Sequence, residues 1–225
     1  VRRFVRAVSS VLILSGLLLL IDAGVTLLWQ EPVTAVIALI KRGDINRRLV
    51  DRPLSLSPLD DRVLAGITNT DGRIAFYAHL YARRALTGEQ IGTIAFPKLH
   101  SSYAVVQGTD TTSLEEGPGH YPATAFPGVA GDTVAIAGHR TTYLAPFRYL
   151  NELVPGDLIV VTMPYGRFTY RVQRQQVVTP TSLWITANKG YERLVLSACN
   201  PLYSASQRIA VFARLYEQEP LGSAA

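Results

Sequence analysis

There is only one cysteine, Cys199, in the 225 residues. No internal disulfide can form, and in a domain outside the cell a lone thiol is reactive or intermolecular. No group of Cys and His residues has the spacing of zinc ligands, so a structural zinc site is not expected. The formal net charge is only +5, and no block of Lys or Arg follows the N-terminus. Scattered basic residues argue for a solvated surface and against nucleic acid as a partner. Internal repeats, low-complexity segments and any alternation of strands with helices are all missing. A doubly wound α/β fold is thereby set aside.

The first feature present is an apolar run over residues 7–29, preceded by Arg2, Arg3 and Arg6. As a helix it is about 34 Å long, enough for a hydrocarbon core of about 30 Å. Asp22 interrupts it at a cost of about 2.5–3.5 kcal/mol on insertion scales, which the Leu/Ile run over 12–21 offsets. A cleaved signal peptide would have a shorter apolar core. The expectation is therefore an uncleaved anchor over 1–30, with the basic tip cytoplasmic and the remainder outside.

Residues 31–90 read as an extracellular linker with a helical extension. An apolar helical stretch at 33–39 precedes Lys41, Arg42, Arg47 and Arg48, and 51–61 has the prolines and polar residues of a linker. Residues 74–86 are amphipathic at helical spacing and are expected to pack on the domain or cover its active site as a lid. His79 within them reads as packed or at the surface.

From residue 91 the texture changes to short apolar runs between turn signals: 91–96, 103–107, 133–138, 157–163, 168–177, 193–199 and 208–216. A short helix is expected at 145–153. About eight strands without βα alternation predict an all-β domain over 91–218, a small barrel or sandwich, with 219–225 as a tail.

Cys199 lies where one apolar run ends, before Asn200 and Pro201, and Arg208 starts the next. A thiol is a nucleophile only as thiolate, and at an ordinary pKa near 8.5 little of it is ionised at neutral pH. It needs an imidazole or a cation. Of His79, His100, His120 and His139, His139 stands out because it too ends a buried-looking strand, 133–138. His120, in the loop at 117–122, comes second. Taken singly, each has an ordinary structural reading: a turn histidine, a small buried hydrophobe, a surface ion pair. All three at strand ends point to a site, in which Arg208 could hold an oxyanion. The cysteine follows the histidine, the reverse of the papain-like order.

Gly138-His139-Arg140-Thr141-Thr142-Tyr143-Leu144-Ala145-Pro146-Phe147, then Leu153-Val154-Pro155-Gly156-Asp157, then Leu196-Ser197-Ala198-Cys199-Asn200-Pro201 and Arg208, together resemble the catalytic framework of the sortases. These are membrane-anchored cysteine transpeptidases of Gram-positive bacteria. Pro97-Lys98-Leu99 and the stretch from Gly117 to Pro122 also fit. The resemblance implies an eight-stranded sortase β-barrel. It implies that Cys199 attacks the threonine carbonyl of a C-terminal sorting signal to form a thioacyl enzyme. It further implies that His139 is general acid and then base, and that Arg208 binds substrate backbone and oxyanion. The implied partners are secreted proteins bearing the signal and a peptidoglycan precursor or other amine acceptor. No cofactor and no metal are implied, and the acids Asp110, Glu115 and Glu116 make no evident calcium set.

The His139–Tyr143 stretch is most similar to class E of actinobacteria, with class D next. On that likeness Tyr143 is the candidate for preferring LAxTG over LPxTG signals, with packing under the loop as the alternative. His120, Ala198 and Asn200 are further candidate substrate-binding positions. Ala198 departs from the family pattern T-L-x-T-C. A missing hydroxyl there is expected to cost a hydrogen bond to substrate, about 1 kcal/mol. Two other readings remain open at this point: a membrane-anchored cysteine hydrolase of other specificity, and a non-catalytic surface β-domain.

Overall fold

The computed structural model describes residues 2–28, 36 and 55–225. Apart from Val36, the stretches at 33–39 and 41–48 singled out above lie outside them.

α1 (Arg2–Leu28) is one continuous helix, long and apolar enough to cross a membrane over Arg2–Val25. Leu12, Leu18, Leu19 and Leu20 stand exposed on it, an arrangement suited to lipid and costly in water. Residues 55–61, expected as linker, instead lead into α2 (Pro58–Ala65). Ser57 and Asp60 make a reciprocal capping box, with Pro58 in the first turn. Those contacts satisfy N–H groups that a helix start leaves bare. α3 (Thr70–Arg84) follows, capped by Asn69. It buries Ile74, Tyr77 and Ala78, one stripe of the 3.6-residue period.

Eight strands then close a barrel: β1 (Gln90–Phe96), β2 (Ser101–Gln107), β3 (Gly119–His120), β4 (Thr133–Gly138), β5 (Leu158–Met163), β6 (Gly166–Val178), β7 (Arg193–Asn200) and β8 (Gln207–Pro220). Their order around it is β1-β2-β3-β4-β7-β8-β6-β5. A short helix, α4 (Thr111–Glu116), bridges β2 and β3. Seven strands fall on the apolar runs read from the sequence. The eighth, β3, is two residues long and too short to show alternation. It joins β2 in parallel and β4 antiparallel, and a Cβ at Gly119 would run into the carbonyl oxygen of Gly108.

The period of two sorts the side chains. Val134, Ile136, Leu194, Leu196, Ala198, Ile209 and Val211 point into the barrel, where they meet Phe168 and Tyr170. Ala135, Val195, Ala210 and Phe212 point outward and are covered by Ile185. Ile185 belongs to the 3₁₀ turn Leu183–Thr186, in the connection between β6 and β7.

Two expectations are corrected here. α3 is no lid over Cys199. Its Ile74 contacts lie around Gly128 and Phe168, the Tyr81 ring lies tilted 5.3 Å from that of Tyr165, and Arg73 donates to the Ala224 carbonyl. These groups surround the start of β6 and the end of β8, opposite the rim where β7 ends. Nor do residues 145–153 form an α-helix. Tyr143, Leu144 and Ala145 take left-handed φ values of 49°, 65° and 43°, and only the 3₁₀ turn Leu150–Glu152 remains. Such angles cannot start a right-handed helix of L-residues.

Glu192, at this far end, is 7% exposed. Its Oε1 accepts from the Gly128 N–H at 2.9 Å and from the Tyr170 hydroxyl at 2.7 Å. Burial raises its pKa to about 6 against those hydrogen bonds. A raised acid binds its proton more tightly when folded. The associated stability is full below about pH 4.5, falls as pH rises through 6, and is worth about 2 kcal/mol. Glu192→Gln keeps an acceptor oxygen and removes the charge. The variant is expected to match the parent near pH 4.5 and to exceed it by about 2 kcal/mol at pH 8 in urea unfolding. A parent that gained on the variant as pH rose would contradict this.

Candidate active site

Three strands deliver the site. β4 and β7 are parallel, and their ladder ends at the pair Gly138 and Ala198. His139 and Cys199 are therefore the next residues on two adjacent strands. β7 and β8 are antiparallel, and Cys199 is paired directly with Arg208. Side chains so paired share a face, with Cβ atoms about 5 Å apart. Since Ala198 and Ile209 point inward, Cys199 and Arg208 point outward. Cys199 is a free thiol, partly exposed.

Gly138 permits the histidine loop. The Phe147 ring lies against it, and a Cβ there would sit 2.6 Å from Phe147 Cδ2. The Phe147 N–H donates to the His139 carbonyl at 2.9 Å, which folds the loop back beneath the histidine. The left-handed turn at 143–145 carries the Tyr143 ring to 5.2 Å from the His139 ring. Tyr143 donates its hydroxyl to Glu115 of α4 at 3.0 Å. Burial depresses the His139 pKa, and the Glu115 charge partly opposes this. The resting ring is thus biased toward the neutral imidazole, the form that can accept a proton from a thiol. Its Nε2 is buried without a hydrogen-bond partner among the described residues.

Arg208 is half-buried. One Nη donates to the carbonyls of Ala205 at 3.0 Å and Gln207 at 2.9 Å, which anchors the guanidinium to the loop between β7 and β8. That loop begins with a cis peptide between Asn200 and Pro201.

The other sequence candidates are placed differently. His120 is 1% exposed. Its Nδ1 pairs with Gln107 Oε1 at 2.9 Å, and its Nε2 faces the Ala125 carbonyl and the Thr124 hydroxyl. Burial drives its pKa down to about 4. It knits a loop to the barrel and presents no surface to a peptide. Ala198 belongs to the interior cluster. A hydroxyl at this position would enter the barrel, so the expected loss of a substrate hydrogen bond does not follow. Asn200 is at the rim with its amide engaged: Oδ1 accepts from Arg140 and Nδ2 donates to Gln207.

Two features were missed. Outward of the barrel, Ala135 and Ala137 of β4 lie beside Val195 and Ser197 of β7. They form a floor of mostly small side chains running toward His139 and Cys199, in which Ala135, Val195 and Ser197 are buried beneath Ile185 and Tyr121. Tyr121 lies across it, its hydroxyl 2.9 Å from that of Ser197. The second is Arg140, buried between the histidine loop and the end of β7. Strand alternation could have exposed the floor. Nothing local marks an arginine as buried.

The comparisons with known proteins agree on this fold. A sequence model of the sortase domain matches residues 94–216. Sortase D of Bacillus subtilis is 37% identical over 117 residues, 51% of this chain and 57% of that protein. Sortase SrtE1 of Streptomyces coelicolor is 30% identical over 148 residues, 59% of this chain and 42% of that protein. The chain therefore spans about half the length of these curated relatives. Among solved structures, sortase E1 from Streptomyces coelicolor, with a tripeptide in its active site, superposes with a TM-score of 0.57 at 28% identity. That match covers 60% of this chain and 93% of the other. Sortase E from Streptomyces avermitilis gives a TM-score of 0.54 at 32% identity, over 62% of this chain and 98% of that one.

Proposed function

The chain belongs to the sortase family, and from that premise we propose that it is a membrane-anchored transpeptidase acting on C-terminal sorting signals of the LAxTG or LPxTG kind. The observation that carries the reading is the register at one barrel rim, with His139 following β4, Cys199 ending β7 and Arg208 opposite it on β8.

In this reading the Cys199 sulfur adds to the threonine carbonyl of the signal, and its proton is held by His139. The carbonyl oxygen becomes an oxyanion facing the Arg208 guanidinium, in a setting where a fixed donor is worth about 3–4 kcal/mol. His139 then gives its proton to the glycine amine, which leaves, and a thioester remains. An incoming amine loses a proton to His139 and attacks the thioester. The acyl group passes to nitrogen, and the thiol is restored. The natural acceptor in this reading is a cell-wall amine. α1 holds the chain in the membrane, with Arg2, Arg3 and Arg6 on the cytoplasmic side and the barrel outside.

The test is incubation of the purified full chain, in detergent micelles, with LAxTG and LPxTG peptides and a glycine-based amine, the products being resolved by mass. A Thr–Gly cut with the amine joined to threonine is expected. Cleavage with water alone as acceptor, even at high amine concentration, would make it a hydrolase, and no turnover by the folded chain would refute the reading.

A further inference from the structure

The β4–β7 ladder stops one residue short of both His139 and Cys199. Beyond it no strand pairing holds the two residues in register. The side chain of Arg140 occupies that place. It is 5% exposed. Its Nη1 donates to Asn200 Oδ1 at 3.0 Å and to the Cys199 carbonyl oxygen at 3.4 Å. Its Nη2 donates to Asn151 Oδ1 at 2.7 Å and to the Arg148 carbonyl at 3.2 Å, which Nε also reaches at 3.3 Å. One planar fork thus ties the residue after the histidine to the nucleophile's own peptide unit and to the turn that supports the loop. Five donors in fixed directions suit arginine; the single ammonium of lysine cannot satisfy all of these acceptors.

Every one of these acceptors is neutral, and among the described residues no carboxylate pairs with Arg140. A buried cation without a counter-charge is costly. Burial and the nearby Arg148 both work against its charge, and a Cys199 thiolate works for it.

We propose that Arg140 is a positioning residue of the site, carrying the β4–β7 pairing past the end of its ladder and holding Cys199 beside His139. Arg140 reaches Cys199 through the backbone, whereas Arg208 faces it from the adjacent strand β8. The proposal rests on the transpeptidase reading only in taking Cys199 as the nucleophile. Charged or titratable groups at this rim include His139, Tyr143, Arg148, Tyr203, Arg208 and, behind His139, Glu115; all are retained in the variants below.

The test is the rate of Cys199 alkylation by iodoacetamide at pH 7 in the full chain in micelles, together with kcat and KM for the better peptide. For Arg140→Gln the alkylation rate is expected to fall about tenfold, because the thiol is no longer held beside the imidazole. Its kcat is expected to fall while KM changes little. Arg140→Lys restores a cation without the fork, so it should leave both the alkylation rate and kcat low. A folded Arg140→Gln with parental alkylation rate and kcat, or full rescue by Arg140→Lys, overturns the proposal. If Arg140→Gln fails to fold, Asn151→Ala decides, because it removes the shortest contact of the guanidinium and keeps its charge. A fall in kcat supports the proposal and an unchanged kcat overturns it. Alkylation needs no sorting peptide, so a parent that turns over neither peptide defeats the transpeptidase reading, while the alkylation rates still decide the role of Arg140.

Discussion

Cys199→Ala is expected to remove turnover of either sorting peptide, a loss of about 10⁴-fold or more in kcat, since a nucleophile has no substitute in a covalent mechanism. The change should leave the barrel intact. Cys199 is the penultimate residue of β7, its side chain is on the outer rim, and its pairing with Arg208 is made by backbone. Alanine accommodates that backbone, and surface substitutions of this kind are usually within about 0.5 kcal/mol. The informative comparison is circular dichroism and urea unfolding beside the peptide assay, with mass spectrometry for an acyl adduct on the parent only. If the alanine variant kept substantial turnover, Cys199 would not be the nucleophile and the cysteine-transpeptidase reading would fall.

Arg208→Ala is expected to lower kcat by about 10²- to 10³-fold, equivalent to about 3–4 kcal/mol of transition-state stabilisation. Two loop carbonyls hold one Nη of this guanidinium, so its plane is set before substrate arrives. A donor fixed in advance pays no reorganisation as charge develops on the carbonyl oxygen. Arg208→Lys should recover only part of the loss, because an ammonium cannot keep both loop carbonyls and still present a second donor in the same plane. Iodoacetamide alkylation of Cys199 separates the two arginines. It involves no oxyanion, so Arg208→Ala should alter it far less than kcat. An alanine variant with parental kcat would remove Arg208 from the oxyanion role.

Tyr143 shows how far reading by position reaches. The likeness to class E made it a specificity candidate. In the structure its hydroxyl is donated to Glu115 and its ring lies against His139. Its backbone is held in the left-handed region together with two neighbours. Such strain persists only where surrounding contacts over-determine it, as they do around functional groups. Tyr143 packs against His139, and the phenol bonded to Ser197 of β7 is that of Tyr121.

Much of the barrel was legible because its long strands are apolar runs of five or more consecutive residues between turn signals; β5 and the first half of β6 alternate, while β4 and β7 are buried on both faces. β3 has two residues and carries no such signal. The turn at 143–145 has no glycine to announce its left-handed backbone. The inward direction of Ala198 was legible in principle, since alternation from Leu196 requires it once Cys199 faces out.

By itself the sequence determined that a thiol, an imidazole and a guanidinium each terminate or begin an apolar strand, behind a helix long enough to span a bilayer. Only the tertiary structure decided that these strand ends meet at one rim, that α3 closes the opposite end, and that Arg140 is buried among neutral oxygens. The reason is physical. Strand character is set by neighbours along the chain, through sterics and the period of two. Which strands lie side by side, and which acceptors surround a buried cation, depends on contacts between distant segments that form only when the barrel closes.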